Sequence, residues 1–188
     1  FKMNKAFMME HFNELNTQGL DRDELLALAL ESERTRDFSP MIGEIAVGLS
    51  SGTSGHRGLF VTTEKERSMW AAAILAKMLP KGKLFGHKIA FFLRADNQLY
   101  QTVNSGLISL EYFDTFQGAE EHVERLNAYQ PTILVAPASM LLELAKQVQA
   151  GNLQIAPSKV VSVAEILEEP DRQRIQAGFG LKKVDQVY

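Results

Sequence analysis

The chain has 188 residues, 45% of them apolar and 23% charged, with a net charge of −3 and no cysteine. Such a length supports a sizeable core, and the weakly acidic balance gives no electrostatic case for nucleic acid or an acidic membrane surface as partner. The lack of cysteine excludes disulfides and thiolate metal sites and fits a reducing, cytoplasmic setting. No apolar stretch approaches the ~20 residues of a membrane span, and no secretory signal is read at the start.

Met8, Phe12 and Leu15 recur at helical spacing, which predicts an amphipathic helix over 2–16. Asp21-x-x-Glu24 predicts a cap, followed by a helix with Leu25, Leu26, Ala29 and Leu30 on its apolar face, and Ser39-Pro40 ends this helical region. From residue 44 onward, strand and helix patterns alternate. Strands are predicted over 44–49, 58–62, 88–93, 109–115, 132–136, 159–163 and 183–187. A Thr63-x-x-Glu66 capping box opens a helix over 64–79, with Trp70, Ile74 and Met78 on one face. Further helices are expected over 119–129, 138–149 and 169–178, the last with Pro170 in its first turn and Ile175 inward. Continuous apolar runs at 89–93 and 132–136 suit strands covered on both faces. The expected fold is α/β: a doubly wound, mainly parallel sheet with helices on both faces, preceded by a short helical segment over 1–40.

Between two of the predicted strands runs Leu49-Ser50-Ser51-Gly52-Thr53-Ser54-Gly55-His56-Arg57-Gly58, with three glycines and four hydroxyls in ten residues. Glycines let the backbone approach a ligand, and amides and hydroxyls can face phosphate oxygens. The plainer reading is a hairpin turn, because Ser-Gly and Gly-His are ordinary turn material. Composition leaves both open. In an open α/β sheet ligands bind beyond the carboxyl ends of the strands, and the run is expected at such an end. It is not a P-loop, since it has no Gly-Lys-Ser/Thr, so Arg57 is the cation able to assist. Arg94, Asp96 and Asn97 read as a solvated turn that could reach a substrate. His11, His56, His87 and His122 lack metal-ligand spacing and read as surface histidines. Glu120-Glu121 and Glu168-Glu169 suit helix starts.

The run Ser50-Ser51-Gly52-Thr53-Ser54-Gly55 resembles the phosphate-binding loop of the adenylate-forming ligases, Ser-Gly-Thr-Thr-Gly-x-Pro-Lys-Gly. The branch most resembled is that of phenylacetate–coenzyme A ligase and its coenzyme F-390 synthetase-like relatives. Gln130-Pro131-Thr132-Ile133-Leu134-Val135-Ala136-Pro137-Ala138-Ser139 and the helix pattern after it resemble that branch's proline, strand, serine, helix segment. Val161-Ser162-Val163-Ala164-Glu165 resembles its Gly-Glu or Gly-Ala-Glu turn, and Asp185-Gln186-Val187-Tyr188 the approach to Tyr-Gly-x-Thr/Ser-Glu. Asn13-Glu14-Leu15-Asn16-Thr17 fits the branch's helical start.

The resemblance implies that ATP and a small-molecule carboxylate give an acyl-adenylate and pyrophosphate, with the acyl group passing to a thiol such as coenzyme A or to another nucleophile. It implies Ser51, Gly52, Thr53, Ser54 and Gly55 at the β- and γ-phosphates, with Ser50 in the same cofactor-binding set and Arg57 in place of the family lysine. Ala164 and Glu165 would lie beside the adenine and Tyr188 near the nucleotide. The loop is one residue short and lacks the proline, and Ala164 stands where a glycine is expected. Residues 41–188 are therefore expected to be a partial nucleotide-binding domain, an N-terminal portion inactive alone. Its Mg²⁺-binding glutamate, ribose-binding aspartate and catalytic lysine are expected after Tyr188, and its natural start upstream of Phe1. The competing expectation is a non-catalytic relative serving as an assembly or partner-binding module. Homo-oligomerisation is left open.

Overall fold

In a computed structural model of the chain, the residues described are 3–37, 39, 41–50, 57–80, 85–94 and 108–187. They fall into two compact units, one drawn from residues 3–74 and the other from 75–94 and 108–187.

The first unit opens with α1 (Lys5–Glu10), α2 (Phe12–Leu15) and α3 (Arg22–Thr35). The single helix expected over 2–16 is thus two, because His11 leaves the helical region at φ −102°, ψ 22°. Phe12, just past the break, is buried with Leu25, Ala29 and Leu59, whereas Phe7 before it is exposed. The Asp21 carboxylate caps α3 by accepting the Asp23 and Glu24 amides at 2.9 and 3.1 Å. The helix ends at Thr35 with Arg36 in the left-handed region at φ +61°. Leu30, expected on the apolar face, is exposed.

β1 (Met41–Ile42), β2 (Ile45–Leu49) and β3 (Leu59–Thr62) form an antiparallel three-stranded sheet in that order. The glycine-rich run therefore joins β2 and β3 as a hairpin. This corrects the expectation that it lies at the carboxyl end of the main sheet. The reason is length: a parallel connection needs a crossover of a dozen or more residues, and 50–58 is too short. α4 (Glu64–Met78) leads out of this unit. Its capping box forms as expected, with Thr63 N–H donating to Glu66 Oε2 at 2.9 Å and Glu66 N–H to Thr63 Oγ1 at 3.3 Å.

The second unit holds β4 (His87–Leu93), β5 (Ile108–Asp114), a 3-10 turn (Ala119–His122), α5 (Val123–Tyr129), β6 (Ile133–Ala136), α6 (Ala138–Gln149), β7 (Lys159–Val163), α7 (Glu169–Phe179) and β8 (Asp185–Val187). The five strands are all parallel, in the order β5-β4-β6-β7-β8. Alternate residues divide between the faces. Ala90, Phe92, Leu134, Ala136 and Val160 pack with Leu126 of α5, Leu141 and Leu144 of α6, and Ile175 of α7. On the opposite face Ile89, Ile133, Val135 and Val161 are also buried, which is why these strands read as continuous apolar runs. This is the expected α/β fold.

The surface assignment of two histidines is corrected here: His87 and His122 are buried. The His122 ring stands edge-on to Phe92 and Phe113, at centroid distances of 5.2 and 5.5 Å, and its Nε2 lies 2.9 Å from the Asp114 carbonyl. An imidazole with one such partner fills an aromatic core. Among the described residues no helix is long and apolar enough to cross a membrane.

Candidate functional site

In a sheet of this order the chain leaves β4 first toward β5 and then back to β6 on its other side. The carboxyl ends around such a switch point are where open α/β sheets bind ligands. Here they frame a cleft of about 530 Å³ lined by Thr115–Ala119 after β5, Pro137, Ser139, Met140, Leu142 and Glu143 after β6, and Glu165 after β7. Phe116 is largely exposed, with the Arg94 guanidinium 5.1 Å from its ring centroid. The turn that carries Phe116 is tied down: its amide donates to Asp114 Oδ1 at 3.0 Å, and the Thr115 amide to the Leu93 carbonyl at 3.1 Å.

The turn after β7 holds two of the expected site residues. Ala164 adopts φ +61°, and the Glu165 amide donates back to the Val163 carbonyl at 2.8 Å. This is a tight γ-turn of the strained, positive-φ kind. The turn aims the Glu165 carboxylate at the start of α6, where it accepts the Ser139 amide at 2.8 Å and the Ser139 hydroxyl at 2.9 Å. A carboxylate at that point satisfies an orphan amide and complements the helix dipole. Ala164 and Glu165 are thus brought together with Ser139 at the cleft. Ser139 carried a signal in the sequence, following Pro137 at the opening of a helix pattern. Phe116 and Met140 carried none.

Of the glycine-rich run, Ser50, Arg57 and Gly58 are described, whereas the expected ligands Ser51, Gly52, Thr53, Ser54 and Gly55, and likewise Tyr188, lie outside the described residues. Ser50 and Gly58 close the hairpin: the Ser50 amide donates to the Gly58 carbonyl at 2.8 Å, and the Gly58 amide to Ser50 Oγ at 2.8 Å. Arg57 Nε donates to the Ser50 carbonyl at 3.2 Å, while Nη1 reaches Glu33 Oε2 at 2.8 Å and Nη2 reaches Glu33 Oε1. Donating hydrogen bonds to the Glu33 carboxylate raises the guanidinium above its ordinary pKa. Glu33 escaped the sequence reading because it lies far back in α3 and no local pattern links it to Arg57. Among the described residues no group of three or more His, Asp or Glu side chains is arranged to hold a metal.

No protein family matches the chain in a scan against family profiles, and no curated protein matches it by sequence. The likeness is to solved structures, and it is one of fold: the architecture is that of AMP-forming acyl-CoA ligases. The chain superposes on 2-hydroxyisobutyryl-CoA ligase in complex with 2-HIB-AMP and CoA with a TM-score of 0.59 at 15% identity, covering 86% of this chain and 40% of that one. On an acyl-CoA synthetase (AMP-forming)/AMP-acid ligase II-like protein from Dyadobacter fermentans the TM-score is 0.53 at 16% identity, covering 99% of this chain and 49% of the other. The chain therefore spans less than half the length of these structures.

Proposed function

We propose that the chain is part of an ATP-dependent adenylate-forming ligase that activates a carboxylic acid as acyl-AMP, with coenzyme A or another thiol as acceptor. The observation that carries this reading is the strained Val163-Ala164-Glu165 turn at the carboxyl edge of a sheet whose fold is that of AMP-forming ligases. The motif order favours the phenylacetate–coenzyme A ligase branch, acting in the cytoplasm. In this reading Ser51, Gly52, Thr53, Ser54 and Gly55, with Ser50 and Arg57, hold the β- and γ-phosphates. Ala164 and Glu165 border the adenine and Tyr188 packs near the nucleotide. Displacement at the α-phosphate leaves the protein mainly to position reactants and to neutralise developing charge. Mg²⁺ would supply charge neutralisation at the phosphates. The resemblance implies its ligand at a position after Tyr188.

The test is ATP–pyrophosphate exchange by the full-length protein over a broad panel of carboxylates. Exchange with at least one acid is expected, and replacing Ser51 and Thr53 with Ala should each reduce it about tenfold or more, the worth of one hydrogen bond to a charged group. No exchange, together with no ATP-induced thermal shift, would overturn the enzyme reading. A second reading, a non-catalytic relative acting as a partner-binding module, is favoured by one observation: the loop's cation is already paired with Glu33.

A further inference from the structure

Arg57 is the cation on which the proposed phosphate loop depends, and its donors are already committed. A guanidinium recognises phosphate best through an edge that offers two parallel N–H groups, and it has only two such edges. The end edge, Nη1 with Nη2, grips both oxygens of Glu33. The side edge includes Nε, which donates to the Ser50 carbonyl at 3.2 Å. No complete two-donor edge remains for an incoming phosphate. Glu33 itself sits in the last turn of α3 (Arg22–Thr35), where a carboxylate opposes the helix dipole. The helix dipole thus gives no reason for an acid there, whereas the pairing with Arg57 is favourable.

We propose that Glu33 sets the affinity of this loop for polyphosphate by competing for Arg57. Binding exchanges a carboxylate for a phosphoryl group on the same guanidinium edge, so part of the phosphate's attraction goes into displacing Glu33. The proposal rests on the reading of residues 50–58 as a phosphate loop. Both partners are about one-third exposed, so the pair is solvent-screened and weak enough to open.

Equilibrium titration of the full-length protein with ATP, and separately with inorganic pyrophosphate, tests this with Glu33→Gln, Arg57→Ala and the double variant. Arg57→Ala is expected to weaken ATP binding about tenfold, the scale of one charge-assisted contact. Glu33→Gln is expected to tighten it at least threefold, and that gain should vanish in the Arg57→Ala background, as coupled residues require. A gain that persists without Arg57 would reduce Glu33 to one more repulsive charge and overturn the proposal. If Arg57→Ala weakens binding while Glu33→Gln does not tighten it, the proposal fails and the phosphate-loop reading stands. If neither variant changes ATP binding, the assignment of Arg57 to phosphate fails, and the proposal with it. Urea unfolding of each variant checks the fold. Should Glu33→Gln unfold, Glu33→Asp carries the same test by keeping the charge but drawing the carboxylate back by one carbon.

Discussion

Ala164 shows how a single backbone angle reports on a site. A non-glycine residue in the left-handed region costs about 1–2 kcal/mol, and glycine in its place returns roughly 0.5–1 kcal/mol of that as unfolded-chain entropy. Ala164→Gly is therefore expected to stabilise the protein by about 0.5–1 kcal/mol net, read as a higher urea midpoint with an unchanged slope. The resemblance to the adenylate-formers implies glycine at this position, and φ +61° is a backbone angle that glycine adopts without strain. Other residues were less legible. His122 gives no hint in the sequence that its ring will stand edge-on to the stacked pair Phe92 and Phe113, since that aromatic cluster assembles from β4, β5 and the turn after β5. Arg57 could be singled out from its loop, but Glu33 could not, because their pairing spans α3, β1 and β2.

Helices and strands announce themselves through local period, and their limits in the structure follow the sequence closely. β7 occupies 159–163 and α6 occupies 138–149, as the flanking turn signals and the apolar runs require. What period cannot supply is partnership. Ile45–Leu49 and residues 89–93 are both apolar runs, yet one belongs to the antiparallel sheet and the other to the parallel one, a choice made by distant chain. β1, only Met41–Ile42, is too short to show alternation. Helix contacts are equally non-local. α7 approaches α6 so closely that a Cβ at Gly178 would lie 2.6 Å from the Ala145 Cβ and 3.1 Å from its Cα. Gly178→Ala is expected to cost about 1–3 kcal/mol through overpacking, measurable by chemical unfolding, because backbone as well as side chain must give way.

The two units share a dependence on ionised carboxylates. Asp185 at the start of β8 lies between Lys183 Nζ at 2.5 Å and Lys159 Nζ at 3.2 Å, and hydrogen bonding from Lys183, then from Lys159, holds it below the ordinary carboxylate range. In the first unit, Asp21 is lowered by the amides it caps and Glu66 by Thr63. Each group has a lower pKa folded than unfolded, so its contribution is fully present above the unfolded value, about 4. It is lost as pH falls through the folded value. Stability should therefore decline from about pH 4 downward. Asp185→Asn should be less stable than wild type at pH 7 and converge with it toward pH 2, as followed by urea midpoints across that range.

The two hydrogen bonds between Ser50 and Gly58 have a consequence for how the hairpin tolerates change. Once both ends of a segment are fastened, the entropy of closing it grows only with the logarithm of its length, about 0.6 kcal/mol for each doubling. A residue removed between these ends leaves the β2–β3 register untouched, because the register is anchored by Leu49 opposite Leu59 and by the Ser50–Gly58 clasp. The missing residue relative to the adenylate-former pattern is close to neutral for the hairpin. The length of this segment is thus not dictated by the two strands it joins.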